Sequence, residues 1–91
     1  MRLILYAKPD CHLCEGLQEK IEAIEGLNFE LEVRDITSRQ DWFAAYQYEV
    51  PVLTRDAGRD DGKEEPIPRP SPRASVRQVE LLLGKYFPKN D

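Results

Sequence analysis

The sequence predicts a mixed α/β domain: a four-stranded sheet with helices on both faces, in the order β-α-β-α-β-β-α. Three observations predict it. An unbroken apolar run, Leu3 to Ala7, is followed by apolar residues at helical spacing, Leu13, Leu17, Ile21 and Ile24. A second run, Phe29 to Arg34, alternates apolar with charged residues, and a third, Val50 to Thr54, is followed by a proline-rich stretch and a last helical pattern. Strands joined through helices favour parallel neighbours, whereas the closely spaced last pair favours an antiparallel hairpin.

Taken in order, Leu3 to Ala7 lacks helical spacing and reads as a strand buried on both faces. Lys8-Pro9-Asp10 ends it, and the Asp10 carboxylate is placed to cap a helix beginning near Cys11. On that helix Leu13, Leu17, Ile21 and Ile24 share one face while Glu15, Gln18, Glu19, Lys20 and Glu22 occupy the others, and Gly26 is the expected stop. The period-two alternation of Phe29, Leu31 and Val33 with Glu30, Glu32 and Arg34 marks a half-exposed strand near a sheet edge. Thr37 and Ser38 offer caps ahead of a second helix over 40–48, with Trp42, Phe43, Ala45 and Tyr46 on its apolar side. Val50 to Thr54 is a third strand with a proline near its start, a position where a strand tolerates one.

Residues 55–65 combine turn formers with charge and predict a solvated loop. Their acidic cluster does not fit a calcium loop, because taking Gly62 as the required glycine puts Ala57 and Arg59 at ligand positions. Pro66, Pro68, Pro70 and Pro72 permit only a short edge strand or extended chain. Two starts are available for the last helix, Ser71-Pro72 and the capping box Ser75 with Gln78. Val76, Val79, Leu83 and Tyr86 line it, and Pro88 ends it.

The chain has 91 residues, 41% hydrophobic and 33% charged, which suits one globular domain over 1–91 with a single core. No apolar stretch approaches the roughly 20 residues of a membrane span, and the first apolar run is too short for a signal peptide, so the expected address is the cytoplasm. A net charge of −4 argues against nucleic acid as a partner, since phosphate neutralisation needs a basic surface. A monomer is the expected state.

Both cysteines and the single histidine fall in one run, Lys8-Pro9-Asp10-Cys11-His12-Leu13-Cys14. In a chain of this kind two cysteines point to redox chemistry or metal rather than a structural bridge, and a Cys11–Cys14 bridge closes too short a loop to restrain the unfolded chain. Thiol exchange requires a thiolate, and an ordinary cysteine, with a pKa of about 8.5, is mostly protonated at neutral pH. The start of a helix and the Lys8 ammonium both favour the thiolate at Cys11. Cys14 lies one turn further on the same side, within reach of a mixed disulfide on Cys11. His12 has two readings, an imidazolium that stabilises the thiolate and a histidine facing solvent, and its direction about 100° from Cys11 leaves both open while arguing against a Cys–His hydrolase pair. A closed zinc site needs four ligands and the chain supplies three at most, which leaves only a metal or iron–sulfur cluster shared between two copies.

Leu3-Ile4-Leu5-Tyr6 followed by Cys11-His12-Leu13-Cys14, and then Val50-Pro51-Val52-Leu53 before a polar turn, resembles a glutaredoxin-type member of the thioredoxin fold. The similarity is greatest to the small bacterial glutaredoxin-like family with a C-terminal Pro-Ser-Pro segment, and it covers nearly the whole chain. The resemblance implies a thioredoxin-like fold and a thiol–disulfide oxidoreductase that reduces protein or glutathione-mixed disulfides, with Cys11 as nucleophile and Cys14 as resolving thiol. It implies no bound cofactor, and glutathione as a candidate co-substrate. Pro51 resembles the family's cis-proline, beside which Val50 presents its backbone to an extended peptide or to glutathione, and Lys8, His12, Val50 and Pro51 are the implied substrate contacts. Arg39 and Gln40 are either contacts for a carboxylate or simply solvated. One departure stands out: glutathione-binding relatives carry a Gly-Gly pair and an acid after the fourth strand, where this chain has Pro68-Arg69-Pro70-Ser71-Pro72. Prolines remove N–H donors, and Arg69 or Arg73 is available to supply charge instead. The alternative reading is a module that keeps the fold without turnover, or a carrier of a cluster shared by two copies.

Overall fold

Leu3, Ile4 and Leu5 point alternately to opposite faces of their strand, and all three are fully buried. Such a strand must be covered on both sides, and the rest of the chain supplies the cover. The computed structural model describes residues 1–56 and 63–89. Its strands are β1 (Arg2–Ala7), β2 (Glu30–Asp35), β3 (Val52–Asp56) and β4 (Glu65–Ile67), and its helices are α1 (His12–Glu22), α2 (Gln40–Tyr46) and α3 (Val76–Leu83). The sheet order is β2-β1-β3-β4, with β1 and β2 parallel and the other two pairings antiparallel. This is the mixed sheet of a thioredoxin-like fold, with β1 inside it.

The direction of β3 departs from the parallel pairing expected of strands joined through helices. A helix of seven residues is about 10 Å long, half the roughly 20 Å of a six-residue strand. The segment through α2 therefore leaves the chain at the end of the sheet where β2 finished, and β3 runs back against β1.

On one face Leu17 and Ile21 of α1 and Val79 and Leu83 of α3 pack with Leu3, Leu5, Leu53 and Ile67, and Phe87 joins them. Burying a side chain of this size contributes about 1.5–3 kcal/mol, so this layer carries most of the hydrophobic stabilisation. On the other face Ile4, Tyr6 and Ile36 are covered by Trp42, Tyr46, Val50 and Val52. α2 itself has no fully buried residue. It is held partly by charge stacked on rings: the Arg34 guanidinium lies 5.5 Å from the Tyr6 ring centre and 5.1 Å from that of Trp42, and Arg39 lies 4.6 Å from Trp42. The Tyr6 hydroxyl donates to Glu64 at 2.7 Å and accepts from Arg34 at 2.8 Å, and the Thr54 hydroxyl donates to Glu64 at 2.6 Å. Arg34 also pairs with Glu32. Burial, and then the Glu64 carboxylate, raises the Tyr6 phenol well above its ordinary pKa.

Several boundaries differ from the sequence expectation. α1 stops at Glu22 with Ala23 as its C-cap, short of Gly26. Thr37 and Ser38 do not cap α2. Asp35 caps a short 3₁₀ turn, Ile36–Ser38, through Thr37 N–H, and α2 begins after Arg39 with no side-chain cap. Phe43 is 40% exposed, leaving Trp42 and Tyr46 as the inward face of α2. At α3 the Ser75–Gln78 capping box is the one used: Ser75 Oγ accepts from Gln78 N–H at 3.1 Å, and Gln78 Oε1 accepts from Ser75 N–H at 2.8 Å. The helix ends at Leu83 with Gly84 as its C-cap, so Tyr86, expected on the helix, lies beyond it, and Pro88 is not the stop. The calcium-loop comparison at Ala57, Arg59 and Gly62 falls outside the described residues.

Candidate active site

The end of β1 sets the position of the two cysteines. Lys8, Pro9 and Asp10 turn the chain, and Asp10 adopts a left-handed backbone with φ 61°, a conformation that aspartate tolerates better than most residues. The cap therefore falls one residue later than expected. Cys11 is extended, with φ −99° and ψ 103°, and is itself the N-cap of α1: its Sγ accepts the Cys14 N–H at 3.3 Å while its carbonyl accepts the first helical bond, from Glu15 N–H at 3.0 Å. A sulfur at this point receives both a backbone donor and the positive end of the helix.

Cys11 and Cys14 form a disulfide with their Cα atoms 5.3 Å apart. Their surroundings differ. Cys11 is half-exposed, whereas Cys14 is 2% exposed and belongs to the inward stripe of α1 with Leu17 and Ile21. Leu13, expected on that stripe, is 53% exposed. Leu17 and Ile21 hold the expected inward positions, and only the first differs, where a cysteine took the place assigned to a leucine. The His12 side chain is 97% exposed, with Nδ1 3.8 Å from Glu15 Oε2, which is the solvent-facing reading of that residue. Lys8 is exposed on the turn.

The Val50–Pro51 peptide bond is cis, and Pro51 is buried. Both polar backbone groups of Val50 are engaged from within the chain. Its N–H donates to the Tyr46 carbonyl at the end of α2 at 3.2 Å, and its carbonyl accepts from Arg69 Nη1 at 3.3 Å. The same nitrogen reaches the Glu49 carbonyl at 3.4 Å. Arg39 pairs with Asp41 at 2.8 Å, which holds the Asp41 carboxyl below its usual range, and stacks on Trp42.

A cavity of about 140 Å³ opens between α1 and the proline-rich segment. His12 and Leu13, the two residues between the cysteines, form one wall together with Gly16, Leu17 and Lys20, and Pro51 and 69–72 form the other. Lys20 Nζ donates to the Pro72 carbonyl at 2.8 Å and ties the two walls together. The structure thus brings His12 and Pro51 to one cavity, along with Arg69 and Lys20. Arg69 was visible in the sequence only as a charge among prolines. Its reach to Val50 spans 19 residues, and no local pattern signals it.

A family model described as Glutaredoxin-like domain (DUF836) matches residues 2–84. A search of the curated proteins and a search of the solved structures found no match.

Proposed function

Because the chain belongs to the glutaredoxin-like family, we propose that it is a thiol–disulfide oxidoreductase working through Cys11 and Cys14. The observation that carries this reading is the asymmetry of the pair: a half-exposed sulfur at the helix start, accepting a backbone N–H, one turn before a buried partner within disulfide reach. In the reduced protein the Cys11 thiolate attacks one sulfur of a substrate disulfide. A Cys11–substrate bond forms, and the other substrate half leaves as a thiolate. The Cys14 thiolate then attacks the Cys11 sulfur, releasing the second half and closing the Cys11–Cys14 disulfide. Two electrons pass to the substrate, and a thiol reductant such as glutathione returns them. Burial keeps Cys14 from competing for substrate, so the order of attack follows from exposure.

The experiment is alkylation of Cys11 by iodoacetamide as a function of pH in the reduced Cys14→Ser protein, which keeps the backbone N–H at position 14. The helix start and the N–H bond together predict a midpoint below the ordinary cysteine value. A profile like that of free cysteine would overturn the enzyme reading in favour of a binding module or a cluster carrier.

A further inference from the structure

A protein that receives an extended substrate on its backbone offers it a free N–H and a free carbonyl. At Val50 the N–H is taken by Tyr46, and Arg69 occupies one acceptor site of the carbonyl. Arg69 thus occupies the docking edge beside Pro51. Its two contacts, at 3.3 and 3.4 Å, are long and go to neutral oxygens. A carboxylate forms shorter charge-assisted bonds of about 2.7–2.9 Å with a guanidinium, roughly twice as strong, and so outcompetes them.

The cavity has the matching charge. Among the described residues no aspartate or glutamate lines it, while Lys20 and Arg69 do, although the whole chain carries a net charge of −4. Glu15, whose carboxylate lies 3.8 Å from His12 Nδ1, is outside the lining. Among the described residues Lys20 and Arg69 form no ion pair and are held by carbonyls. At about 140 Å³ the space suits a short carboxylated arm rather than a large ligand, for which pockets of about 300 Å³ or more are usual.

We propose that Arg69 is the specificity-determining residue of the site: it recruits disulfides that carry a carboxylate close to the reacting sulfur. The inference rests on the oxidoreductase reading. In the exchange the Cys11 thiolate bonds to one sulfur and expels the other half as a thiolate, while the carboxylate on the retained half lies against Arg69.

The test compares an anionic disulfide, dithiobis(nitrobenzoate), with a neutral one, dithiodipyridine, in their first exchange step with reduced wild-type, Arg69→Ala and Arg69→Lys proteins. The readout is the ratio of the two second-order rate constants. Arg69→Ala is expected to lower the anionic-to-neutral ratio about tenfold and Arg69→Lys to restore part of it. In the wild type, raising salt from about 0.02 to 0.5 M is expected to lower the same ratio, a measurement that needs no variant. A second arm pairs disulfide peptides with Glu or Gln next to the cysteine. A Glu preference there that disappears in Arg69→Ala assigns the carboxylate to protein substrates, and its absence beside a positive first arm assigns it to small disulfides. A ratio insensitive to both Arg69 and salt overturns the inference while leaving the enzyme intact. Wild-type rates no faster than those of free cysteine with either probe overturn both readings.

Discussion

Replacing Arg34 by methionine keeps an apolar stem of similar length and removes the charge that fastens α2 to the sheet. Three contributions are lost. The hydrogen bond to the Tyr6 hydroxyl, made by a charged donor, is worth about 1.5–3 kcal/mol. The two ring faces, Tyr6 and Trp42, add about 0.5–1 kcal/mol each. The pairs with Glu32 and Glu64, carboxylates 35% and 27% exposed, add little. The sum runs from about 2.5 to 5 kcal/mol, and the lower part, about 3 kcal/mol, applies because Glu64 keeps two hydroxyl donors, Tyr6 and Thr54, and is not stranded. For a domain of this size that loss lowers the melting temperature by about 12–24 °C. Urea unfolding followed in parallel by circular dichroism and by the fluorescence of Trp42, the single tryptophan, measures it. A cycle with Glu64→Gln should show coupling of about 0.5 kcal/mol or more. A loss below about 1 kcal/mol would refute the account of α2 as a helix held by stacked charge and would shift the weight to Ile36 and Tyr46.

Two further outcomes are expected. The Tyr6 and Tyr46 phenols are both raised above the ordinary tyrosine value of 10.0, chiefly by burial, so the native protein should titrate fewer phenols just above that pH than the urea-unfolded chain does, by ultraviolet absorbance. Because the folded value is the higher one, the corresponding stability is fully present below pH 10 and is lost as pH rises beyond it, and Tyr6→Phe should flatten that alkaline loss. Ser75→Ala removes one half of the capping box of α3 and should cost about 1 kcal/mol in urea unfolding, whereas an unchanged midpoint would contradict the capping role.

What could be read from the sequence was what neighbours in the chain encode. The apolar run of β1, the alternation of β2 and the Ser75–Gln78 box are each local, and each is present in the structure. The errors near the cysteines are shifts of a single residue: Cys11 caps where Asp10 was expected, and Cys14 is buried where Leu13 was expected. Both follow from treating cysteine as chemistry alone, when a sulfur also accepts an N–H and packs as a small hydrophobe. The direction of β3 depended on how far α2 extends, and sequence boundaries are least certain in a short helix without a side-chain cap. The contacts joining Tyr6 to Glu64 and Arg69 to Val50 span 58 and 19 residues, and no periodicity reports them.

The strand order has a consequence for how the protein behaves in a crowded solution. A sheet of four strands leaves two outer edges, β2 and β4, each a template on which another chain could stack and begin an aggregate. β2 carries Glu30, Glu32, Arg34 and Asp35 along its length, and β4 has Pro66 at its middle residue. Charge repels a second copy from one edge, and a missing N–H leaves the other unable to complete a ladder. One edge of the sheet is thus guarded by charge and the other by proline.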